Sequence, residues 1–249
     1  MIKFLKLFYT IYGFTIFILL FLFFLPLLLI PIAFPSQFKI TGIVNRWWAK
    51  ALFTFVFLPY KVEMEEKLDP ARQYVFCPNH TSYMDIPAMG INPVNAIFVG
   101  KIEIASVPLF GFMYSRLHIT VNRSSIKSKG NAVKLSIDAI EEGKSLVIFP
   151  EGGIYSKKPP ILTPFKDGAF RAAIEKQIPI VPVTMPNNWL ILPDQKEMLL
   201  TRGQIKVIFH KPIETVGLKI EQVDNLKEQV FSVIDNELNK HGYNTRNTG

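Results

Sequence analysis

The first 60 residues, termed here the leader, contain no aspartate and no glutamate. They carry five cations, against 23 cations and 20 anions in the rest of the chain, and they hold twelve of the 21 phenylalanines. Cationic side chains favour anionic lipid headgroups, while apolar side chains enter the acyl region of a bilayer. An acid-free, basic and phenylalanine-rich segment is therefore typical of a membrane-contacting element.

Other absences exclude several classes of protein. A single cysteine excludes a disulfide scaffold and a multi-cysteine zinc or iron–sulfur site. The four histidines lack metal-ligand spacing, so no metal site is predicted. The chain has no G-x-G-x-x-G, G-x-x-x-x-G-K-[ST] or G-x-S-x-G motif. The net charge of +8 is tied to an apolar leader rather than to an arginine-rich face, so no nucleic-acid partner is expected.

The leader contains one uncharged run, Leu7–Phe38. Its proline-free part, Leu7–Leu25, would reach roughly 28 Å as a helix, which barely spans a hydrocarbon core. The prolines between Pro26 and Pro35 disfavour a straight continuation and predict a turn there. Two arrangements remain open: a true span, or a re-entrant pair formed with a second helix at Trp47–Tyr60. The run is longer than that of a signal peptide and no A-x-A-like site follows it, so we expect the leader to be retained.

After residue 60 the pattern alternates between short β-rich runs and helical segments, which predicts an α/β fold. The expected architecture is a mixed, largely parallel sheet of about seven strands covered by helices, with an N-terminal membrane-embedded helical segment. The predicted units are an anchoring segment over residues 1–60 and an α/β domain over residues 61–249. The predicted strands are Lys61–Met64, Tyr74–Cys77, Ala96–Val99, His118–Val121, Leu146–Phe149, Ile180–Thr184 and Ile205–Phe209, and the clearest helices are Ser128–Glu142, Phe165–Lys176 and Ile220–Lys240.

The segment around His80 is the first candidate for chemistry. It follows the strand that ends at Cys77, and Asp85 lies five residues after His80. With His80 in a loop and Asp85 in the next helical turn, the carboxylate receives one imidazole N–H and leaves the other nitrogen as a general base. The structural alternative is a capping box, because Ser82-x-x-Asp85 also fits that pattern.

Two further groups of residues are candidates for binding an anion or a substrate. A buried apolar strand ends at Glu151 and Gly152, where glycine permits close backbone approach to a ligand; the alternative is a tight turn with Glu151 in a salt bridge. A basic run over residues 101–134 contains Lys101 and Arg123, with Glu103 as its single acid. Arg123 follows a predicted strand, where a guanidinium fork can hold a phosphate; a solvated basic face is the alternative.

In this order, the segments resemble the glycerolipid acyltransferases, and especially bacterial 1-acyl-glycerol-3-phosphate acyltransferases. The family's H-x-x-x-x-D block resembles His80–Asp85, its arginine block resembles Ile119–Arg123, and its F-P-E-G block resembles Phe149–Gly152. Two later segments, Pro164–Phe170 and Ile180–Val183, also resemble the family. Gly153-Ile154 departs from it, because the family usually has Thr-Arg there.

The resemblance implies acyl transfer from acyl-CoA or an acyl-carrier protein to a lysophospholipid, giving phosphatidic acid, at a membrane and without a metal or bound cofactor. It implies that His80 deprotonates the acceptor hydroxyl and that Asp85 orients His80. It also implies that Lys101, Arg123, Glu151 and Gly152 bind substrate.

Alternatives remain beside this interpretation: acylation of a lyso-aminoacyl lipid, a non-catalytic lipid-binding protein, and an enzyme that uses Cys77 as its nucleophile. Thioester donors are made in the cytoplasm, and a lone free cysteine fits a reducing compartment. Cations on both sides of the apolar run favour a cytoplasmic location for both ends. We therefore expect a monotopic protein of the cell inner membrane with its catalytic domain on the cytoplasmic side.

Overall fold

A computed structural model describes residues 2–122, 124–195 and 197–242. The described strands are β1 (Tyr60–Met64), β2 (Val75–Pro78), β3 (Ala96–Lys101), β4 (Ile119–Val121), β5 (Ser145–Ile148), β6 (Ile180–Thr184) and β7 (Ile205–Phe209). The described helices are α1 (Ile2–Ala33), α2 (Lys39–Phe55), α3 (Asp85–Met89), α4 (Phe110–Leu117), α5 (Ile126–Glu141), α6 (Gly168–Lys176), α7 (Asn188–Ile191) and α8 (Val223–Lys240).

The described strands form one sheet in the order β1-β7-β6-β2-β5-β3-β4. Every neighbouring pair is parallel except β6 and β7, which are antiparallel. The central strands β2 and β6 are buried along their whole length, as expected for a sheet with both faces covered. The predicted mixed, largely parallel α/β sheet is therefore confirmed, and each predicted strand overlaps an observed one.

Helices cover both faces of this sheet. On one face, α5, α6 and α8 pack over sheet side chains such as Val75, Leu146 and Ile180. On the other face, α2 places Leu52 and Phe53 in the same core as the sheet side chain Phe76. Because of this packing, the leader and the sheet share a hydrophobic core. The division at residue 60 into an anchoring segment and an α/β domain stays a prediction.

The path of the leader corrects one prediction. Helix α1 continues through Pro26 and Pro31, and the chain turns in a 3-10 segment at Pro35–Gln37. The helical bond from the Phe34 amide to the Ile30 carbonyl, at 2.8 Å, shows that helical geometry persists past the prolines. In an apolar stretch, helix formation is the way to satisfy the remaining backbone groups, so each proline removes one bond without breaking the helix.

Helix α1 also has the composition of a membrane segment. Among the described residues, one helix is long and apolar enough to cross a bilayer, Lys3–Ala33, with a mean hydropathy of 3.0. It packs against α2 and α4, while many of its other side chains, including Phe8, Ile18 and Phe23, are more than half exposed. An apolar side presented to the surroundings is what an embedded helix requires.

Candidate active site

His80 and Asp85 form a buried pair at the carboxyl end of β2. His80 lies in the loop after this strand, and Asp85 begins α3. The His80 Nδ1 atom lies 3.1 Å from Asp85 Oδ2. The contact expected from the sequence is therefore present, and it leaves Nε2 as the ring nitrogen available for proton transfer.

The Asp85 carboxylate is held by several donors. Its Oδ2 atom accepts the backbone N–H groups of Thr81 and Ser82, each at 2.8 Å, and its Oδ1 atom accepts Asn188 Nδ2 at 2.9 Å. The capping alternative is half formed, because Asp85 accepts the Ser82 N–H while the Ser82 hydroxyl donates to the Leu192 carbonyl. One carboxylate thus shapes the loop and orients the imidazole.

Glu151 holds the backbone of His80. Its Oε1 atom accepts the His80 N–H at 2.7 Å, and its Oε2 atom accepts the Thr163 N–H at 2.9 Å and the Thr163 hydroxyl at 2.8 Å. The side chain is fully buried. Burial raises the pKa of Glu151 from 4.5 to about 7, against the lowering effect of these hydrogen bonds. A direct contact between Glu151 and substrate stays a prediction, since its observed partners belong to the protein.

Gly152 shapes the turn that follows Glu151. Its φ of +80° lies in the left-handed region, which side chains other than glycine rarely adopt. Its N–H donates to the carbonyl of Phe149 at 3.0 Å, so this amide serves the turn rather than an anion. The Phe149 ring in turn stacks on the His80 ring, with centroids 4.0 Å apart. The strand-exit turn therefore fixes both the backbone and the ring of His80.

A cavity of about 950 Å³ lies between the leader and the sheet, and His80 is part of its wall. Most of its lining is apolar: α1 contributes Phe17 and Phe21, and α2 contributes Trp48. Ile154, which occupies the position of the family's arginine, is also in the wall. A volume of this size, with His80 and His118 in a mostly apolar lining, suits a ligand with a long hydrocarbon part.

Of the two cations predicted to bind an anionic substrate group, the structure describes Lys101. Lys101 is the last residue of β3, is exposed, and lies on the wall of the same cavity as His80. Arg123 lies outside the described residues. The structure thus brings His80 and Lys101 to one cavity, with Asp85 and Glu151 both bonded to His80.

Cys77 occupies a fully buried strand position among core side chains of the α5, α6 and α8 face. Burial raises the pKa of its thiol. Both features match a structural cysteine, since a nucleophilic thiol needs exposure and a low pKa.

Sequence reasoning missed three side chains that support this site. Asn188 bonds to Asp85, and Thr163 bonds to Glu151. Asn79 accepts the Met185 N–H at 2.7 Å and donates to the Met185 carbonyl at 3.2 Å, which ties the His80 loop to the end of β6. Asn79 adjoins the quoted His80 block, whereas Asn188 and Thr163 carry no local signal.

Comparison with known proteins identifies the family of this chain. A family model described as Acyltransferase matches residues 59–186, just over half of the 249 residues. The chloroplastic 1-acyl-sn-glycerol-3-phosphate acyltransferase BAT2 of Brassica napus is 30% identical over 175 residues, which cover 69% of this chain and 49% of that protein. The probable 1-acyl-sn-glycerol-3-phosphate acyltransferase of Mycoplasma genitalium is 25% identical over 222 residues, covering 82% of this chain and 79% of that protein. The chain spans about half the length of the plant relatives.

The fold has a solved counterpart. The crystal structure of the 1-acyl-sn-glycerophosphate (LPA) acyltransferase PlsC from Thermotoga maritima superposes with a TM-score of 0.80 at 22% identity. The match covers 97% of this chain and 98% of that one. The family match includes both the His80–Asp85 pair and the Glu151 turn, and we conclude that the chain belongs to the acyltransferase family.

Proposed function

We propose that this protein transfers an acyl chain from an acyl thioester to the free hydroxyl of 1-acyl-glycerol-3-phosphate, giving phosphatidic acid. The observation that carries the proposal is the His80–Asp85 pair in the wall of a large apolar cavity. The names of the similar proteins support the choice of acceptor. Acyl-CoA and acyl-carrier protein are both thioesters and serve equally well as the donor in this chemistry.

The reaction follows from the geometry of the pair. With its Nδ1–H donated to Asp85, His80 accepts the hydroxyl proton at Nε2 as the acceptor oxygen attacks the thioester carbonyl carbon. Asp85 stabilises the imidazolium that forms. The C–S bond then breaks, the new ester forms, and the departing sulfur takes the proton from His80 to become a thiol. No covalent enzyme intermediate is needed, and the two bound substrates react directly.

The cavity supplies the apolar part of the binding. Phe17, Phe21 and Trp48 from the leader face it together with His80 from the catalytic loop. Burying each CH₂ group of an acyl chain contributes about 0.8 kcal/mol. An acyl chain placed along this wall brings its carboxyl end to His80, with Lys101 in the same wall as a cation for an anionic group.

A second acceptor is favoured by one residue. Ile154 stands where the family resemblance leads us to expect an arginine, and it faces the apolar cavity. An acceptor without a phosphate, such as a lyso-aminoacyl lipid, would not require that arginine. O-acylation of such a lipid is therefore the alternative function.

We also propose a monotopic attachment to the cytoplasmic leaflet of the inner membrane. Near its start, α1 bonds to the α/β domain through Lys3 and Glu197 at 2.7 Å. Near its end, Leu28 and Ile32 pack in a cluster that includes Met113 of α4. A helix that touches the same domain near both ends supports an orientation along the membrane surface rather than across it.

The activity test uses the full-length protein in detergent, with an acceptor panel of lysophosphatidic acid, a lyso-aminoacyl lipid and other lysophospholipids. We expect acyl-CoA or the acylated carrier protein to release its free thiol only when an acceptor is present, and we expect lysophosphatidic acid to be the preferred acceptor. Preference for the lyso-aminoacyl lipid would establish the alternative, and lipid binding without thiol release by either donor would contradict both.

The topology test uses sealed, oriented vesicles with tags at the N-terminus and at Gly249. Both tags should be accessible to protease from the cytoplasmic side. Accessibility from opposite sides would show a true span.

A further inference from the structure

A second apolar surface lies outside the leader. The segment Ile102–Phe112, termed here the 102–112 segment, joins β3 to α4 and includes the first turn of that helix. It exposes large apolar side chains to between 42% and 58% of their area: Ile102, Val107, Leu109 and Phe112. Four such residues within eleven positions form a patch, whereas single exposed apolar residues are ordinary.

Leu109 is held in a conformation that leucine rarely adopts. Its φ is +60° and its ψ is −52°, and the Phe110 N–H donates across it to the Pro108 carbonyl at 2.6 Å. This is the strained, positive-φ form of the γ-turn. Backbone strain of this kind persists where the surrounding structure imposes it, and it concentrates at functional sites. Here it accompanies a leucine side chain that is 58% exposed, which is unfavourable in water and favourable in lipid.

The patch is continuous with the leader. The opposite side of α4 packs on α1, where Phe110 meets Phe21 with ring centroids 5.2 Å apart. The cavity wall includes the exposed side chains Ile18 and Leu22 of α1 together with Leu109. The rim of the cavity is thus formed partly by the leader and partly by the 102–112 segment.

Cations flank the patch. Lys101 precedes it and is exposed, and the Arg116 guanidinium lies over the Phe112 ring, 5.5 Å from its centroid. Glu103 is the single acid between residues 101 and 116. An apolar surface bordered by long cationic side chains suits the boundary between anionic headgroups and acyl chains, where such side chains extend to the charged layer.

We propose that the 102–112 segment inserts into the same lipid leaflet as the leader, and that it forms the second, lipid-contacting side of the cavity rim. The occupant of this surface is a bilayer leaflet that contains anionic phospholipid. This inference rests on the membrane location proposed for the leader. It gives a lipid substrate a path from the leaflet into the cavity without crossing water.

Single cysteine labels test the proposal in the full-length chain. Cys77 is buried, and Cys77→Ser removes it as a background site. An environment-sensitive fluorophore is attached to Leu109→Cys and, in a second variant, to Phe112→Cys. Phe23→Cys on α1 and Val216→Cys after β7 are matched references, since each native side chain is 73% exposed. The vesicles contain three parts phosphatidylcholine to one part phosphatidylglycerol, with and without brominated acyl chains.

We expect the labels at 109 and 112 to shift their emission to the blue on vesicles, and brominated chains to quench them at least half as strongly as the label at 23. The label at 216 should stay water-like. Water-like labels at 109 and 112 beside a quenched label at 23 would overturn this inference and leave the proposed activity intact. Labels that respond only to an added acidic acyl-carrier protein would identify a protein-docking surface and overturn it as well.

A label at 23 that is not quenched would overturn both this inference and the membrane location. Acceptor-dependent thiol release in detergent is measured on the unlabelled parent protein and on the protein labelled at 216, which lies outside the cavity lining, and it reports on the proposed activity independently of lipid contact. Failure of one proposal is therefore distinguishable from failure of the other.

Discussion

The turns that carry Asp85 and Glu151 follow neighbouring strands, β2 and β5, and both end in a buried carboxylate that bonds to His80. Asp85 bonds to the ring, whereas Glu151 bonds to the backbone N–H. Only the ring contact involves the imidazole, which gains and then loses a positive charge in the proposed reaction. In the proposed mechanism Asp85 therefore tunes the imidazole while Glu151 positions the His80 backbone, and substitutions should separate these two roles.

The largest effect is expected from removing the side chain that both carboxylates serve. His80→Ala should lower kcat by about 10³-fold or more, since general-base catalysis contributes about 10²–10⁴-fold. Acceptor-dependent thiol release measures it. His241→Ala, at the end of α8, is the control and should keep full turnover; normal turnover in His80→Ala would contradict the mechanism.

Asp85→Asn should rank second. The neutral amide cannot stabilise an imidazolium, and its NH₂ group would face one of the N–H donors that now bond to the carboxylate. We therefore expect kcat to fall by about 10²–10³-fold with little change in KM. Steady-state kinetics in detergent measure both constants. Asp224→Asn changes an exposed carboxylate on α8 and should behave as the parent protein. A change confined to KM would show that Asp85 binds substrate instead.

Glu151→Gln should lower kcat less, by about 10–10²-fold, and should reduce the free energy of unfolding by about 1–3 kcal/mol. The reason is that one amide NH₂ must face either the His80 N–H or the Thr163 N–H, which leaves a buried donor without an acceptor. Denaturation in detergent measures the loss, and Glu214→Gln, in an exposed ion pair, is the control. An increase in KM alone would indicate direct contact between Glu151 and the acceptor.

The pH dependence of the free energy of unfolding tests the buried environment of Glu151. Because the folded-state pKa of Glu151 is raised from 4.5 to about 7, the folded protein binds the extra proton between those values. The contribution of Glu151 to the free energy of unfolding should therefore fall as pH rises from about 4.5 to about 7. Unfolding curves across this range should show the fall in the parent protein and its loss in Glu151→Gln. An identical slope in the two proteins would show that Glu151 titrates outside this window.

Asn188→Ala should have the smallest effect, a fall in kcat of about three- to tenfold. It removes one neutral donor to Asp85 Oδ1 and leaves the donors to Oδ2 in place. KM should stay unchanged, because Asn188 acts on Asp85 and not on substrate. Asn225→Ala, on the exposed side of α8, should change neither constant; an unchanged kcat in Asn188→Ala would assign Asn188 a purely structural role.

The sequence predicted the sheet well because each strand is a short apolar run of a kind that recurs between helices, as in Ile180–Thr184 and Ile205–Phe209. It predicted the His80–Asp85 contact because the two residues lie within one local turn. It missed Asn188, which is 103 residues from Asp85, since contacts at that separation depend on strand order. It predicted a turn between Pro26 and Pro35, and the chain turns only at the end of that region, because proline is a weaker helix breaker where water cannot replace helical bonds.

The shared core of the leader and the sheet has a consequence for the proposed attachment to a membrane. Ala49, Leu52 and Phe53 of α2 are buried against side chains of the sheet, such as Phe76 and Val181. A chain cut after residue 58 would lose these side chains together with one wall of the cavity. We therefore expect a fragment that begins after residue 58 not to fold as a soluble unit, so the folding of the sheet and the proposed attachment to lipid depend on the same segment.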